Sequence, residues 1–401
     1  MTNSIADKLG INREVLALSA ARFVDAFANS ILIVILPLYV AAIPSEHLHF
    51  PVETLVGILI ATFGIISSFV QPFAGRASDR LDRRKIFILV GLSLMGVATF
   101  VFAEADEFLH LMIIRAVQGI GFALTIPATL SLMAEYTEMR SRGGAMGIYT
   151  TMRMAGFAVG PLLGGVIQVH YGFQTAFYVV GILSLVGAFI VWVLVQEPEH
   201  LEADAAQARK LPSFRESVSG EFIILGIASI IMAAAISMMV ALENEFNTRL
   251  SQTAIGFGVA FSALTISRVF LQIPLGKAAD IWGRKIVIIL GFIILAPTTI
   301  WLGFVHTTGQ LVVARLVQGV GMAGISAPIF ALAGDKAKGG SSGTQMSVVT
   351  MSFGLGIAAG PVLAGVMSGY ISFSSPFILG GTLCLVAAWM IGQFVTETIQ
   401  R

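Results

Sequence analysis

Twelve apolar runs of about twenty residues or more follow one another along this chain of 401 residues. They limit what it can fold into more than any motif does. A hydrocarbon core roughly 30 Å thick is crossed by about 20 residues of helix. The runs fall near 15–44, 53–74, 86–104, 108–135, 143–168, 174–196, 220–243, 253–275, 286–305, 309–334, 343–369 and 374–396, here numbered spans 1 to 12. Backbone amides left unpaired in lipid are prohibitively costly, so each run is expected to be a helix. A strand barrel would show alternating segments about ten residues long, and nothing here alternates that way. With 56% hydrophobic and 12% charged residues, the chain also carries more apolar surface than a water-soluble core of this length hides. The expected fold class is an all-α integral membrane protein of twelve transmembrane helices, with lipid as its main solvent.

Positive charge orients the spans. Of the 24 Lys and Arg, eighteen lie in the N-terminal tail, the even-numbered connections or the C-terminal tail, and only Arg249 lies in an odd-numbered connection. Cytoplasmic loops collect Lys and Arg, so both termini are expected in the cytoplasm. One span added or lost would invert every later loop and destroy the agreement. The apolar run after Arg22 continues as a full span, which is not the short run of a cleaved signal peptide, so the N-terminus is expected to be retained.

The second half repeats the first at an offset of 200 or 201 residues. GRASDRLDRRK from Gly75 recurs as GKAADIWGRK from Gly276, RAVQGIG from Arg115 as RLVQGVG from Arg315, and GFAVGPLLGGV from Gly156 as GLGIAAGPVLAGV, whose Gly-Pro pair is Gly360-Pro361. Two similarly oriented sets of six spans imply a pseudo-twofold axis along the membrane normal and a substrate cavity where the halves meet. The expected division is 1–196 and 220–401 as six-helix bundles, with the charged, proline-containing segment 197–219 as a cytoplasmic linker.

Other chemistries find little support. A net charge of +1 offers no basic excess for nucleic acid. The one cysteine, Cys384, lies in an apolar run and builds neither a disulfide nor a metal cluster within a monomer. His47, His49, His110, His170 and His306 fall near the outer surface and His200 in the linker, with no zinc-hydrolase spacing. No Gly-Lys-Ser or Gly-Lys-Thr phosphate loop occurs. Neither cofactor nor metal is expected; the energy should come from an ion gradient, proton or sodium, and the chain is expected to act as a monomer.

Three signatures resemble the major facilitator superfamily, over essentially the whole chain. The connection between spans 2 and 3 is similar to the family's G-x-x-x-D-R-x-G-R-R-K through Gly75, Asp79, Arg80, Arg83, Arg84 and Lys85. Asp82 stands where the family carries glycine, whereas the second copy, with Gly276, Asp280 and Arg284, keeps it as Gly283. The resemblance implies that Asp79 and its basic neighbours hold one of two alternating conformations. Retention by charge and anionic headgroups explains the same basic residues. The span 4 run R-x-x-Q-G-x-G supplies Arg115, Gln118, Gly119 and Gly121; similar arginines in the family are implicated in proton coupling, and a structural ion pair or carbonyl clamp competes. The third signature, Gly156, Gly160, Pro161, Gly164 and Gly165 on span 5, resembles the antiporter motif that marks exporters. Glycines four apart let another backbone approach closely and Pro161 permits a bend, although small residues so spaced also pack ordinary membrane helices. The resemblance thus implies the drug:proton antiporter branch in a bacterial inner membrane, exporting small amphiphilic molecules by alternating access.

Charges inside spans are functional candidates by default. Asp25 reads as the only acidic residue deep in any span, and Arg22, Asp25, Asn29 and Leu36 share roughly one face of span 1, the side expected to line the cavity. A carboxylate that changes partners between conformations could carry a proton; a static Arg22–Asp25 pair is the bland alternative. Arg153 and Arg268 lack repeat partners and are candidates for the substrate cavity with Asn29 and Met239, the last as part of an adaptable apolar site. A positive cavity suits anionic or neutral amphiphiles. An uptake symporter or facilitator would share the fold without the Gly-Pro signature, and a sensor or membrane-embedded enzyme would need a soluble domain or clustered catalytic groups.

Overall fold

The computed structural model describes residues 12–43, 49–81, 83–137, 141–197, 220–336 and 342–398. The linker 198–219 and Asp82 fall outside them, as do the side chains of Asp79 and of residues 342–348. Every described element is a helix. Eleven helical runs are long and apolar enough to cross a membrane. One of them, Arg142–Leu194, has 53 residues, which at about 1.5 Å per residue is far longer than a single crossing. It is broken at Gly172, whose φ of 81° and ψ of 179° lie outside helical geometry and suit a residue without a Cβ. Counting this break, the crossings number twelve among the described residues, with the turn between spans 5 and 6 inside the 168–174 gap that hydropathy leaves.

Most spans match their expected limits within a few residues: span 1 is Arg13–Ala42, span 3 Arg84–Val101, span 4 Phe108–Glu135, span 9 Arg284–Leu302, span 10 Thr308–Lys336, span 11 Ser342–Tyr370 and span 12 Ser375–Phe394, whereas span 2, Val52–Leu81, and span 8, Ala254–Trp282, each run seven residues past the expected end into the signature connection. Span 7 differs. Its α-helix Gly220–Ser237 tightens into a 3₁₀ segment, Met238–Leu242, and resumes as Glu243–Arg249. The expected limit of 243 falls six residues short: no Gly or Pro stops the helix there, and Arg249, expected in a connection, sits on its last turn in an ion pair with Glu245 at 2.6 Å.

The chain divides into two compact units, one of residues 1–50, 62–199 and 251–262, the other of 51–61, 200–250 and 263–401. In the first, an apolar core gathers Leu18, Ile88, Leu92, Leu132, Met133 and Val191; in the second, Phe222, Leu225, Phe292, Leu295, Ile325 and Leu332 play that part. Each unit has the same polar fastening at one end of its helices. The backbone N–H of Lys85 donates to Glu197 at 3.0 Å, and that of Lys285 to Glu397 at 2.9 Å, so each glutamate caps an orphan amide at a helix start. Arg84 pairs with Glu135 and Arg284 with Asp335. Beside the first fastening, burial together with Glu14 and Glu197 pushes the Tyr136 phenol up to about 12, and its hydroxyl donates to the Gln196 carbonyl. Gly283, the N-cap of span 9, has a φ of 105°, which accounts for glycine there.

Candidate functional site

Span 1 brings the charged candidates of the first unit together. Arg22 and Asp25 are 8% and 2% exposed, one helical turn apart, and Arg22 Nη1 donates to Asp25 Oδ2. Asn29, a further turn on, donates to Asp25 Oδ1 at 2.8 Å and to its carbonyl at 3.1 Å. The Arg22 guanidinium lies 5.5 Å from the Phe122 ring centre and 5.9 Å from that of Tyr149. Arg153 of span 5 interacts electrostatically with Asp25, Arg22 and Tyr149. A cavity of about 10 Å³, room for roughly one water, is bounded by Arg22, Asp25, Thr125, Thr129 and apolar side chains. Asp25 thus has a formed ion partner, a second cation within electrostatic range and water-sized space beside it. The pair expected from spacing is present, and Asn29 and Arg153 join it.

Arg115 is engaged elsewhere. Its Nη1 donates to Gln118 Oε1 at 3.1 Å, Gln118 Nε2 donates to Thr99 Oγ1 at 2.8 Å, and its guanidinium lies 4.9 Å from the Phe63 ring centre. The second unit repeats the chain: Arg315 Nη1 to Gln318 at 2.8 Å, then Gln318 Nε2 to Thr299 at 3.0 Å. Arg315 also donates to the Ile236 carbonyl at 3.1 Å. Both arginines act here as braces between helices.

The span 5 glycines form the seat of span 1. A Cβ at Gly156 would stand 2.7 Å from the Phe23 carbonyl oxygen and from the Phe27 nitrogen, and one at Gly160 would strike Ser30 Oγ and come within 2.7 Å of the Phe27 carbonyl. Gly164 lies against Ile31, and Gly165 against the Ala254 carbonyl. A side chain at Gly156 or Gly160 would push out the helix that carries Asp25. Gly356 and Gly360 seat span 7 in the same way, against Ile230, Ala234 and Ser237.

The remaining candidates are more dispersed. Gly75 makes ordinary contact with Pro127, and Gly276 faces open space. Arg80, Arg83 and Asp280 are exposed, and Asp280 lies 3.4 Å from Arg284. The Asp79 side chain lies outside the described residues. In the second unit Arg268 is half-buried, and Met239 is wholly buried within the 3₁₀ segment.

Sequence reasoning missed one group. Asp25 is not the only deep acid: Glu243, at the junction of the 3₁₀ segment and the last helix of span 7, is 0% exposed. Hydropathy placed it at a span end, where a glutamate is unremarked. The signal that could have found it is the absence of any helix-stopping residue before Arg249.

Two helical units whose helices are long and apolar enough to cross a membrane, with charges buried inside them, are the architecture of a polytopic membrane protein. The chain belongs to the Major Facilitator Superfamily, whose model matches residues 18–242 and 221–398, a family of transporters rather than enzymes. It is 24% identical over 391 residues to the multidrug resistance protein MdtG of Escherichia fergusonii, covering 95% of this chain and 93% of that one. It is 28% identical over 341 residues to the human synaptic vesicular amine transporter, covering 82% of this chain and 65% of that one. Among solved structures, a bacterial homologue of the human lysosomal transporter Spinster superimposes with a TM-score of 0.79 at 15% identity, over 94% of this chain and 95% of that one.

Proposed function

We propose that the protein is a proton-coupled exporter of small amphiphilic compounds, working as a monomer in the cytoplasmic membrane with both termini inside the cell. The observation that carries this reading is the seating of span 1. The Gly156, Gly160 and Gly164 face that resembles the exporters' motif is the surface on which the helix bearing Arg22, Asp25 and Asn29 rests. A shift of span 1 on that seat would alter the partners of Asp25, and a carboxylate that trades a cation for water changes its hold on a proton.

Arg22 holds Asp25 in an ion pair with Arg153 as a second cation in its electrostatic surroundings, and the water-sized cavity bounded by Arg22 and Asp25 offers a place for a proton to arrive. In the cycle proposed, protonation of Asp25 frees Arg22, span 1 shifts, and loss of the proton restores the pair. The names of the relatives suit this reading, one a multidrug resistance protein and the other an amine transporter. Asn29, Arg153, Arg268 and Met239 are proposed to meet the substrate, and the Gly75–Arg84 connection with its second copy to favour one conformation. A growth panel of toxic dyes, antibiotics and amines, with and without the expressed chain, tests export: resistance to a subset supports it, and raised sensitivity with greater accumulation points to uptake.

A further inference from the structure

The two units carry equivalent helices in spans 1 and 7, and their equivalence is set by the glycine seats. Gly160 meets Ser30 Oγ and the Phe27 carbonyl; Gly360, 200 residues later, meets Ser237 Oγ and the Ala234 carbonyl. Ser30 and Ser237 are 207 residues apart, as are Phe27 and Ala234. The same shift carries Tyr39 to Phe246. Tyr39 packs on Phe173 and Phe177 with ring centres 5.2 and 4.9 Å away, and Phe246 packs on Phe373 and Phe377 at 4.9 and 5.7 Å. By this register the counterpart of Glu243 is Leu36, which is 1% exposed.

In the first unit this position holds a buried leucine. A carboxyl group there is costly and does nothing for packing that leucine does not do. Neither oxygen of Glu243 meets a hydrogen-bond donor at bonding geometry, and the polar side chain facing it is the Asn247 amide, one turn on. The arginines of the flanking stretches have other partners: Arg249 pairs with Glu245 and lies over the Phe373 ring at 4.3 Å, and Arg315 of span 10 is bonded to Gln318 and the Ile236 carbonyl. Spans 11 and 12, against which this stretch packs, contain no Asp, Glu, Lys, Arg or His; their titratable groups are Tyr370, which is exposed, and Cys384, which is buried. The residues just before Glu243 also depart from their counterparts, because Met238–Leu242 is 3₁₀ where 31–35 is regular α-helix. A 3₁₀ stretch inside a helix is a place where the helix yields.

We propose that Glu243 is a proton-binding site of the second unit, loaded when span 7 is packed as here and unloaded when the helix yields at Met238–Leu242 and admits water. A proton requires only one oxygen lone pair, which a single carboxyl group supplies. The step moves a single proton between the carboxyl group and water, with no other bond changed. The site extends the proton-coupled reading and rests on it for its part in transport, though not for the protonation itself.

The test compares Glu243→Leu and Glu243→Gln with the wild-type chain and with Asp25→Asn, each purified at full length in detergent. The protonated-carboxyl infrared band is followed from mildly acidic to strongly alkaline pH, alongside the thermal midpoint. The expected result is a band component that disappears on alkalinisation in the wild type and in Asp25→Asn and is missing from both Glu243 variants. Glu243→Leu should be at least as thermostable as the wild type, since leucine is the residue its counterpart uses. An unchanged band in both Glu243 variants overturns the proposal. So does a Glu243→Leu chain that melts well below the wild type, because a structural carboxylate would then be the better description. In liposomes with a trapped pH dye, Glu243→Leu should move at least tenfold fewer protons during efflux of the neutral amphiphile Nile red. If the wild type moves Nile red without protons while the infrared result stands, the proton-coupled reading fails and the proton site remains.

Discussion

Ser30 Oγ reaches the carbonyl of Gly156 at 3.2 Å across the crossing of spans 1 and 5, one turn beyond Asp25 on the same helix. The residue that resembles an exporter signature and the helix that carries the buried carboxylate are thus in direct contact. Motion of either is felt by the other.

Removing one member of the Arg22–Asp25 pair should cost more than removing both. Arg22→Met leaves a buried carboxylate short of its cation, a loss of about 3–5 kcal/mol when a buried pair is broken. Arg22→Met with Asp25→Leu should recover most of that stability, read as thermal midpoints of the purified chain. Equal losses in the single and double variants would show that the stranded carboxylate is not the source of the cost.

At the glycine seat, Gly160→Ala should lower stability by about 1–3 kcal/mol, the usual range for an overpacked site, and abolish export, because its Cβ would strike Ser30 Oγ. Gly147→Ala, where nothing lies within 4 Å, is the control and should behave as wild type. Thermal unfolding together with a resistance assay separates the two; full activity of Gly160→Ala would remove the seat from the account.

The brace predicts a loss in both units. Gln118→Leu takes an acceptor from Arg115 and a donor from Thr99 and should cost about 1–3 kcal/mol; Gln318→Leu takes the same from Arg315 and Thr299 but leaves Arg315 its bond to the Ile236 carbonyl, and should cost less. A loss at one site only would mean that the two units do not use the brace alike.

At the helix ends, a double-mutant cycle on Arg84 and Glu135 should give a coupling below about 1 kcal/mol that falls as salt is raised, since Glu135 is 35% exposed at its side chain. A larger, salt-insensitive coupling would mark this fastening as a gate rather than a brace.

Much of this was legible in the sequence, for reasons that differ by residue. Span number and the 200-residue repeat follow from apolar run length and shared motifs, and structure supplies the matching contacts at Arg115 and Arg315 or Glu197 and Glu397. The Arg22–Asp25 pair was legible because three residues on a helix bring side chains together. The 207-residue register of spans 1 and 7 was not, because helices that share a packing role share no motif; it appears only when the partners of Gly160 and Gly360 are known. Glu243 was hidden for the same reason, and because hydropathy cannot tell a buried glutamate inside a helix from one at its wet end. Arg115 and Gln118 share the spacing of Arg22 and Asp25, but the onward bond from Gln118 to Thr99 depends on which helix faces it, which spacing along one helix does not encode.

The central claim is that Asp25 couples protons to export. Everted membrane vesicles, energised to an acid interior and reported by an acridine dye, measure it most directly with a compound taken from the resistance panel. Adding that compound should discharge part of the acid interior in wild-type vesicles and none of it in Asp25→Asn vesicles, with compound binding retained in both. Equal discharge by the two, or uptake of the compound without any proton movement, would contradict the account.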